Sequence, residues 1–319
     1  MTKPAILLDL KWENLKSDVV FRKALPDFEF INWGSAEDRK RGLGEVVYAV
    51  VWGPEPGLLA RCGNLKAIFS VGAGVDHLFS DSELPDLPIV RFVDRSLTGP
   101  MVEWVVLQVL MHLRHQRQYD AMQRARQWQQ LPQHDPRDLT IGIMGFGELG
   151  QASAAVLKQF GFPIHSWSQS PKNVEGVVSF HGNAQLNAFL ADVDILISLL
   201  PLTAETIGII NAELIDGLSR KGPFGAPVLI NAGRGGSQVE ADILKALQDG
   251  RLHGASLDVF ETEPLPTDSP LWGQENLFIT PHSAALSDGD ALAAHVAQQI
   301  ARHQKGEDLQ YLVKRQQGY

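Results

Sequence analysis

The sequence is poor in the features that mark several large protein classes. It holds one cysteine, Cys62, in 319 residues, which excludes an internal disulfide and a cysteine-based metal framework. That usage suits a reducing compartment, so the cytoplasm is the expected location and no metal ion is expected. No apolar run approaches the roughly 20 residues of a membrane-spanning helix. The first ten residues lack a basic stretch followed by an apolar one, so no secretory signal is expected. Basic residues are in deficit: 28 Lys and Arg against 37 Asp and Glu give a net charge of −9. A chain this acidic has no general affinity for nucleic acid or anionic membranes, and any anionic ligand must be held by local groups. The remaining composition, 44% hydrophobic and 20% charged, is that of a globular protein with a sizeable core. The length suggests two domains of about 150 residues.

Along the first 97 residues, short apolar runs alternate with amphipathic stretches. Strands are expected at 4–9, 46–52, 66–71 and 89–92, and helices at 14–25 and 56–62. The strands are apolar runs rather than alternating patterns, which suits a parallel sheet covered on both faces. A long helix is expected from Gly99 to about Trp128, apolar nearly all round in its first half and polar in its second. Residues 131–138, with two prolines and no periodicity, read as a loop. From Leu139 the strand–helix alternation restarts, with strands expected at 140–144, 163–167, 193–199, 227–231, 254–259 and 276–280. Ser237 to Glu240 reads as a capping box, with Gly250 as the stop of the helix it opens. Six strands with intervening helices make a doubly wound sheet. A last helix is expected from Asp290 to about Lys305.

The strand at 140–144 runs into Gly145-Phe146-Gly147-Glu148-Leu149-Gly150, a GxGxxG motif between strand and helix. In that context the glycines have distinct uses. Gly145 allows the tight turn, Gly147 the approach of a pyrophosphate, and Gly150 close packing of helix on strand. Unpaired N–H groups at the helix start then favour an anion. An NAD-binding sheet carries an acid at the end of the next strand, about 20 residues on, to hold the adenosine ribose. Here that place reads Trp167-Ser168-Gln169-Ser170-Pro171-Lys172, with no acid. Ser168, Gln169, Ser170 and Lys172 leave room and positive charge for a 2′-phosphate, so NADPH is the expected cofactor, with NADH weaker. The competing reading is that the serines only open a loop and Lys172 is a solvated charge.

Three polar groups follow strands of the second half. Arg234 lies in the loop Asn231-Ala232-Gly233-Arg234-Gly235-Gly236, where a guanidinium could bind a carboxylate through two parallel hydrogen bonds. Glu263 and His282 flank the strand at 276–280, so a loop could bring them together. A carboxylate beside an imidazole orients it and favours its acidic form, which suits a general acid near neutral pH. Any one of these residues alone would be unremarkable, and the inference rests on the three together.

GFGELG, LLPLTAETIGIIN at 199–211, NAGRGG, LDVFETEPLP at 257–266 and TPHSAA occur in an order that resembles the D-2-hydroxyacid dehydrogenase family. Val71-Gly72-Ala73-Gly74-Val75-Asp76, Trp167-Ser168, Ser269-Pro270-Leu271-Trp272 and the terminal Gly318-Tyr319 resemble its bacterial glyoxylate/hydroxypyruvate reductase A branch, over nearly the whole chain. The resemblance implies that Arg234 binds and polarises a 2-oxo acid, that His282 protonates the carbonyl oxygen, and that Glu263 pairs with it. It places Asp258 near the nicotinamide and Leu200, Pro201, Leu202 and Thr206 along the cofactor. Ala232, Gly233, Ala284 and Ala285 flank the arginine and histidine motifs and are expected beside the cofactor too. It implies that the backbone of Ala73 and Gly74 holds the substrate carboxylate, that Trp52 lies at the substrate pocket, and that Met101 lies near the nicotinamide. Core packing explains Trp52 and Met101 equally well. Where the branch often carries arginine after Trp-Ser, this chain has Gln169.

The implied architecture is two doubly wound α/β domains. A Rossmann-type cofactor domain at 98–285 is inserted into a flavodoxin-like substrate domain at 1–97 and 286–319, with the active site in the cleft and a homodimer as the assembly. The expected activity is NADPH-dependent reduction of glyoxylate and hydroxypyruvate. The alternatives are an NAD-linked dehydrogenase of another 2-hydroxy acid and a non-enzymatic NAD(H)-sensing corepressor, which the absence of basic regions and long disordered flanks disfavours.

Overall fold

A computed structural model describes residues 3–10 and 18–315. The expected helix at 14–25 falls partly outside them, as does the terminal Gly318-Tyr319. The chain divides into two compact units. One comprises the described residues through Leu97 and those from Ser287 onward; the other is Thr98–Leu286.

The first unit is built on β1 (Ala5–Asp9), β2 (Glu29–Asn32), β3 (Val46–Val51), β4 (Ala67–Ser70) and β5 (Ile89–Val90). All pair in parallel, in the order β2-β1-β3-β4-β5, which is the flavodoxin-like order. Its helices are α1 (Val19–Ala24) and α2 (Asp76–Phe79). The second unit holds β6 (Ile141–Met144), β7 (Ile164–Ser168), β8 (Val178–His181), β9 (Ile195–Ser198), β10 (Val228–Asn231), β11 (Gly254–Leu257) and β12 (Leu277–Ile279). Its helices are α5 (Glu148–Gln159), α6 (Leu186–Leu190), α7 (Ala212–Gly217) and α8 (Glu240–Gln248), preceded by α3 (Arg95–Leu113), which starts at the unit boundary, and α4 (Gln116–Ala125). The last helix, α9 (Gly289–Gln304), belongs to the first unit.

The seven-stranded parallel sheet has the order β12-β11-β10-β9-β6-β7-β8. This is the Rossmann pattern with a seventh strand, and it reverses direction of winding between β6 and β9. Its core explains the unbroken apolar runs. Ile195 and Ile197 of β9 and Val228 and Ile230 of β10 pack into one core, while Leu196 and Leu229 between them pack into the other. With both faces covered, a two-residue alternation no longer separates apolar from polar. Truncating one of these fully buried branched side chains to alanine costs about 2–5 kcal/mol in comparable cores.

Several expectations are corrected. β2 and β8 do not stand out in the sequence because only two of the four residues of each are apolar. β8, Val178-Ser179-Phe180-His181, has no buried residue and pairs with β7 alone. The helix expected over 99–128 starts earlier, runs through Pro100 and breaks at His115, which adopts the left-handed conformation at φ 56°. The His115 ring is tied to the Pro132 carbonyl at 2.8 Å. α4 then ends at Ala125, with left-handed Arg126 closing it. The expected helix at 56–62 is a single 3-10 turn, Leu59–Arg61. The capping box does not form: the Ser237 hydroxyl donates backward to the Arg234 carbonyl at 2.6 Å, and Val239 is the residue before α8. Glu240 instead exchanges reciprocal N–H to carboxylate bonds with Glu261, each 2.7 Å.

α3 carries a buried titratable group. His112 is buried and its Nε2 pairs with the Ser256 hydroxyl at 2.9 Å. Burial, then the positive charge of His253 and Arg117, pushes its pKa down to about 3. Between pH 6.5 and that value, the unfolded chain takes up a proton that the folded chain refuses. Stability therefore falls as the solution is acidified, by about 1.4 kcal/mol per pH unit at full effect. We predict that His112→Gln makes the fall of unfolding free energy between pH 6 and 4 shallower by about that slope in denaturant titrations. Parallel slopes for variant and wild type would contradict the assignment.

Candidate active site

The second unit collects its chemistry in the loops that follow β6, β7, β9, β10, β11 and β12, all at the carboxyl end of one parallel sheet. Ligands of open α/β sheets bind at such ends, where the winding reverses. The β6 loop fits a pyrophosphate. Gly145 has φ 91°, and a Cβ there would stand 2.6 Å from the Leu199 carbonyl oxygen. Gly147 is the N-cap of α5, lacks a side-chain cap and faces open space where a side chain would project. The first N–H groups of α5 have no partner inside the helix, which is the donor set a phosphate takes. Only the backbone of Phe146 can take part, since its side chain is fully buried in the core. Glu148 and Leu149 open α5.

Beyond β7, the Ser168 hydroxyl is buried and gives its proton to the Ser170 carbonyl at 2.8 Å. Gln169 Nε2 donates to Glu205 Oε2 at 2.9 Å, a partner 36 positions further along the chain. Lys172 makes no hydrogen bond or ion pair with the described residues, so its ammonium and the Ser170 hydroxyl are the groups left for an anion. The β9 loop is knitted by Thr206. Its Oγ1 donates to the Pro201 carbonyl at 2.7 Å and accepts from the Thr203 N–H at 2.8 Å, which sets Leu200, Pro201 and Leu202 as one turn.

The β10 loop presents Arg234 from a rigid base. Fully buried Asn231 accepts the Gly233 N–H at 3.0 Å and donates to Gln238 Oε1 at 2.8 Å. Gln238 Nε2 in turn donates to the Val259 carbonyl at 2.9 Å. At Gly235 a Cβ would lie 1.8 Å from the Phe260 carbonyl oxygen, so the loop can press against the β11 loop only with glycine there. Arg234 Nη1 donates to the Gly233 carbonyl at 2.8 Å. The buried Asn231–Gln238 bridge has no counterpart in the sequence motif beyond the first letter of NAGRGG.

His282 is held on three sides. Its ring Nδ1 is 2.7 Å from Glu263 Oε2. Its backbone is left-handed, at φ 50°, and its N–H reaches the Asp258 carbonyl at 2.8 Å. The buried Asp258 carboxylate accepts the Thr280 hydroxyl at 2.5 Å and the N–H groups of Ser283 and Ala284 at 2.9 and 3.0 Å. Trp104 supports the same loop, donating to Thr280 Oγ1 at 3.1 Å. Asp258 thus acts on the loop around His282, with both carboxylate oxygens engaged there. Glu263 is fixed by the Phe260 N–H on its other oxygen at 3.0 Å. Burial alone would raise the Glu263 pKa. The hydrogen bond and charge of His282, the Phe260 N–H and the Arg234 charge outweigh it and hold the carboxyl below the usual glutamate range. Arg234 is therefore within electrostatic reach of the His282–Glu263 pair. His282 Nε2 makes no hydrogen bond with the described residues, and the ring is about one-third exposed.

The other expected site residues fall into two groups. Met101, Ala232 and Ala284 are buried in the same core of the second unit, and Ala285 packs against it. Trp52, Ala73 and Gly74 belong to the first unit. Trp52 follows β3 and packs against His77 with ring centroids 4.3 Å apart and the rings tilted by 46°. Ala73 and Gly74 follow β4, partly exposed, and the Ser70 hydroxyl ties the turn through the Gly74 carbonyl at 3.2 Å. Among the described residues no group of three or more His, Cys, Asp or Glu could hold a metal ion, and no helix is long and apolar enough to cross a membrane.

Comparison with known proteins fits this geometry. Residues 106–284 match the model of the D-isomer specific 2-hydroxyacid dehydrogenase NAD binding domain. Glyoxylate/hydroxypyruvate reductase A of Escherichia fergusonii is 40% identical over 304 residues, 93% of this chain and 94% of that one. The crystal structure of an NADPH-dependent glyoxylate/hydroxypyruvate reductase from Sinorhizobium meliloti, in complex with NADP and sulfate, superposes with a TM-score of 0.96 at 49% identity, covering 99% of this chain and 100% of that one. A probable 2-hydroxyacid dehydrogenase from Rhizobium etli, in complex with NADP, HEPES and L(+)-tartaric acid, gives a TM-score of 0.94 at 51% identity over the whole of both chains. With its glycine loop, its arginine loop and its paired histidine in family order, the chain belongs to the D-isomer specific 2-hydroxyacid dehydrogenase family.

Proposed function

We propose that the protein is an NADPH-preferring reductase of short 2-oxo acids, converting glyoxylate to glycolate and hydroxypyruvate to D-glycerate. The observation that carries this reading is His282 paired through Nδ1 with Glu263, its Nε2 uncommitted and the Arg234 charge close by. The relatives from Escherichia fergusonii and Sinorhizobium meliloti, both glyoxylate/hydroxypyruvate reductases, support the substrate class.

Each residue has a defined task. The N–H groups of the 145–150 loop would hold the phosphates of the dinucleotide, and Lys172 and Ser170 would hold its 2′-phosphate. When bound, the reduced nicotinamide supplies the hydride. Arg234 binds the 2-oxo acid as a fixed cation, orienting it and drawing electron density toward the oxygens. As the carbonyl oxygen becomes an alkoxide, protonated His282 gives it the proton on Nε2. Glu263 keeps the Nδ1 proton in place and stabilises the imidazolium before transfer, and solvent then reprotonates the ring. Asp258 and Thr280 position the histidine through the backbone. The assembly is a homodimer. Besides the family resemblance, Leu107 supports it: it is a large apolar side chain on α3 that is 53% exposed.

Three outcomes are predicted. Arg234→Ala and His282→Ala each lower kcat/KM for glyoxylate by about 100-fold or more, and Glu263→Gln lowers kcat by about 10-fold or more with KM little changed. Wild-type turnover in both alanine variants would contradict these roles. In assays with both cofactors NADPH is preferred, and Lys172→Ala narrows the preference by about 10-fold, the loss of one charge-assisted contact. A preference for NADH defeats the cofactor assignment. Light scattering finds particles of twice the chain mass; a monomer at micromolar concentration refutes the dimer.

A further inference from the structure

The strand end that lacks an acid in sequence acquires one through space. Gln169, the first residue past β7, donates its amide to the carboxylate of Glu205 at 2.9 Å. Glu205 comes from the loop after β9, and β7 and β9 are the two neighbours of β6. The bridge therefore links the loops on either side of the glycine loop. The base of that arrangement is tight: the Gly145 N–H donates to the Trp167 carbonyl at 3.0 Å on the β7 side, and Gly145 presses on Leu199 on the β9 side. Both Gln169 and Glu205 are exposed, so neither is consumed by core packing. Among the described residues Glu205 has no cation paired with it, and the bridge to a neutral amide leaves its full negative charge in place.

We propose that Glu205 is a specificity-determining residue that restrains the preference for a 2′-phosphorylated nucleotide. This rests on the reading of the β6 loop as the dinucleotide site. In a sheet of this order the ribose of the adenosine end falls beside the residue that ends the second strand, here Ser168 to Gln169. A phosphate there, carrying close to two negative charges, would be drawn by the Lys172 ammonium and opposed by the Glu205 carboxylate. A ribose with free hydroxyls suffers no such repulsion. Gln169 is a positioning residue, holding the carboxylate over the site without neutralising it. The balance between the two nucleotides is thus set by Lys172 against Glu205, on two different loops.

The test separates charge from structure. Glu205→Gln keeps the shape and still offers a carbonyl oxygen to Gln169. Glu205→Ala removes the bridge altogether. Dissociation constants for NADPH, NADH and 2′-AMP are measured by fluorescence titration or calorimetry, without turnover. Glu205→Gln is expected to tighten NADPH and 2′-AMP by about threefold to tenfold at low salt and not to tighten NADH. The gain should shrink toward unity at about 0.5 M salt, because an exposed charge pair is screened over a few ångströms there. Glu205→Ala should give a gain of the same sign. Unchanged NADPH binding in Glu205→Gln, or equal changes for NADPH and NADH, overturns the proposal while leaving the reductase reading intact. A wild-type chain that binds neither nucleotide overturns both.

Discussion

Close approach between loops at one end of a parallel sheet is the constraint on which the rest depends. Gly145 lies against the β9 loop, and Gly235 lies against the Phe260 carbonyl, in each case at distances that leave no room for a Cβ. A parallel sheet brings the carboxyl ends of consecutive strands to the same side, but it does not by itself make their loops touch. The glycines do that. They turn separate loops into one surface, on which the N–H groups of α5, the Arg234 guanidinium and the His282 ring are presented together.

The histidine shows how such a surface is kept in order. A left-handed non-glycine residue is strained by about 1–3 kcal/mol and persists only when its surroundings fix it. Here the surroundings are explicit. The Asp258 carboxylate gathers the Thr280 hydroxyl and the N–H groups of Ser283 and Ala284, and the Asp258 carbonyl holds the N–H of His282 itself. Glu263 then fixes the ring through Nδ1, braced by the Phe260 N–H. A chain of contacts runs from β11 to the imidazole, so the orientation of one side chain depends on two loops, those after β11 and β12.

Much of this is legible in the sequence. The buried strands announced themselves as apolar runs, because a sheet covered on both faces leaves them no polar side. The GxGxxG motif marked its loop because its glycines are a backbone requirement. The NAGRGG and TPHSAA motifs marked the arginine and the histidine. What remained hidden has physical reasons. β2 and β8 are edge strands, half dressed for water, and carry too little apolar signal. The break of α3 at His115 depends on a distant carbonyl, Pro132, which no local pattern reports. The capping pattern at Ser237 was a local signal overridden by the Arg234 carbonyl nearby. The Gln169–Glu205 and Asn231–Gln238 bridges join residues whose meeting is set by sheet order or loop curvature, not by spacing.

The central claim is that His282, fixed by Glu263, faces the ligand with its other nitrogen while Arg234 takes the carboxylate. The most direct measurement is a crystal structure with NADP and oxalate, an unreactive mimic of a short 2-oxo acid. The account predicts His282 Nε2 within hydrogen-bond reach of an oxalate oxygen, Nδ1 still on Glu263, and the Arg234 guanidinium on the oxalate. An oxalate bound with neither residue touching it, beside a nucleotide lying off the 145–150 loop, would contradict it.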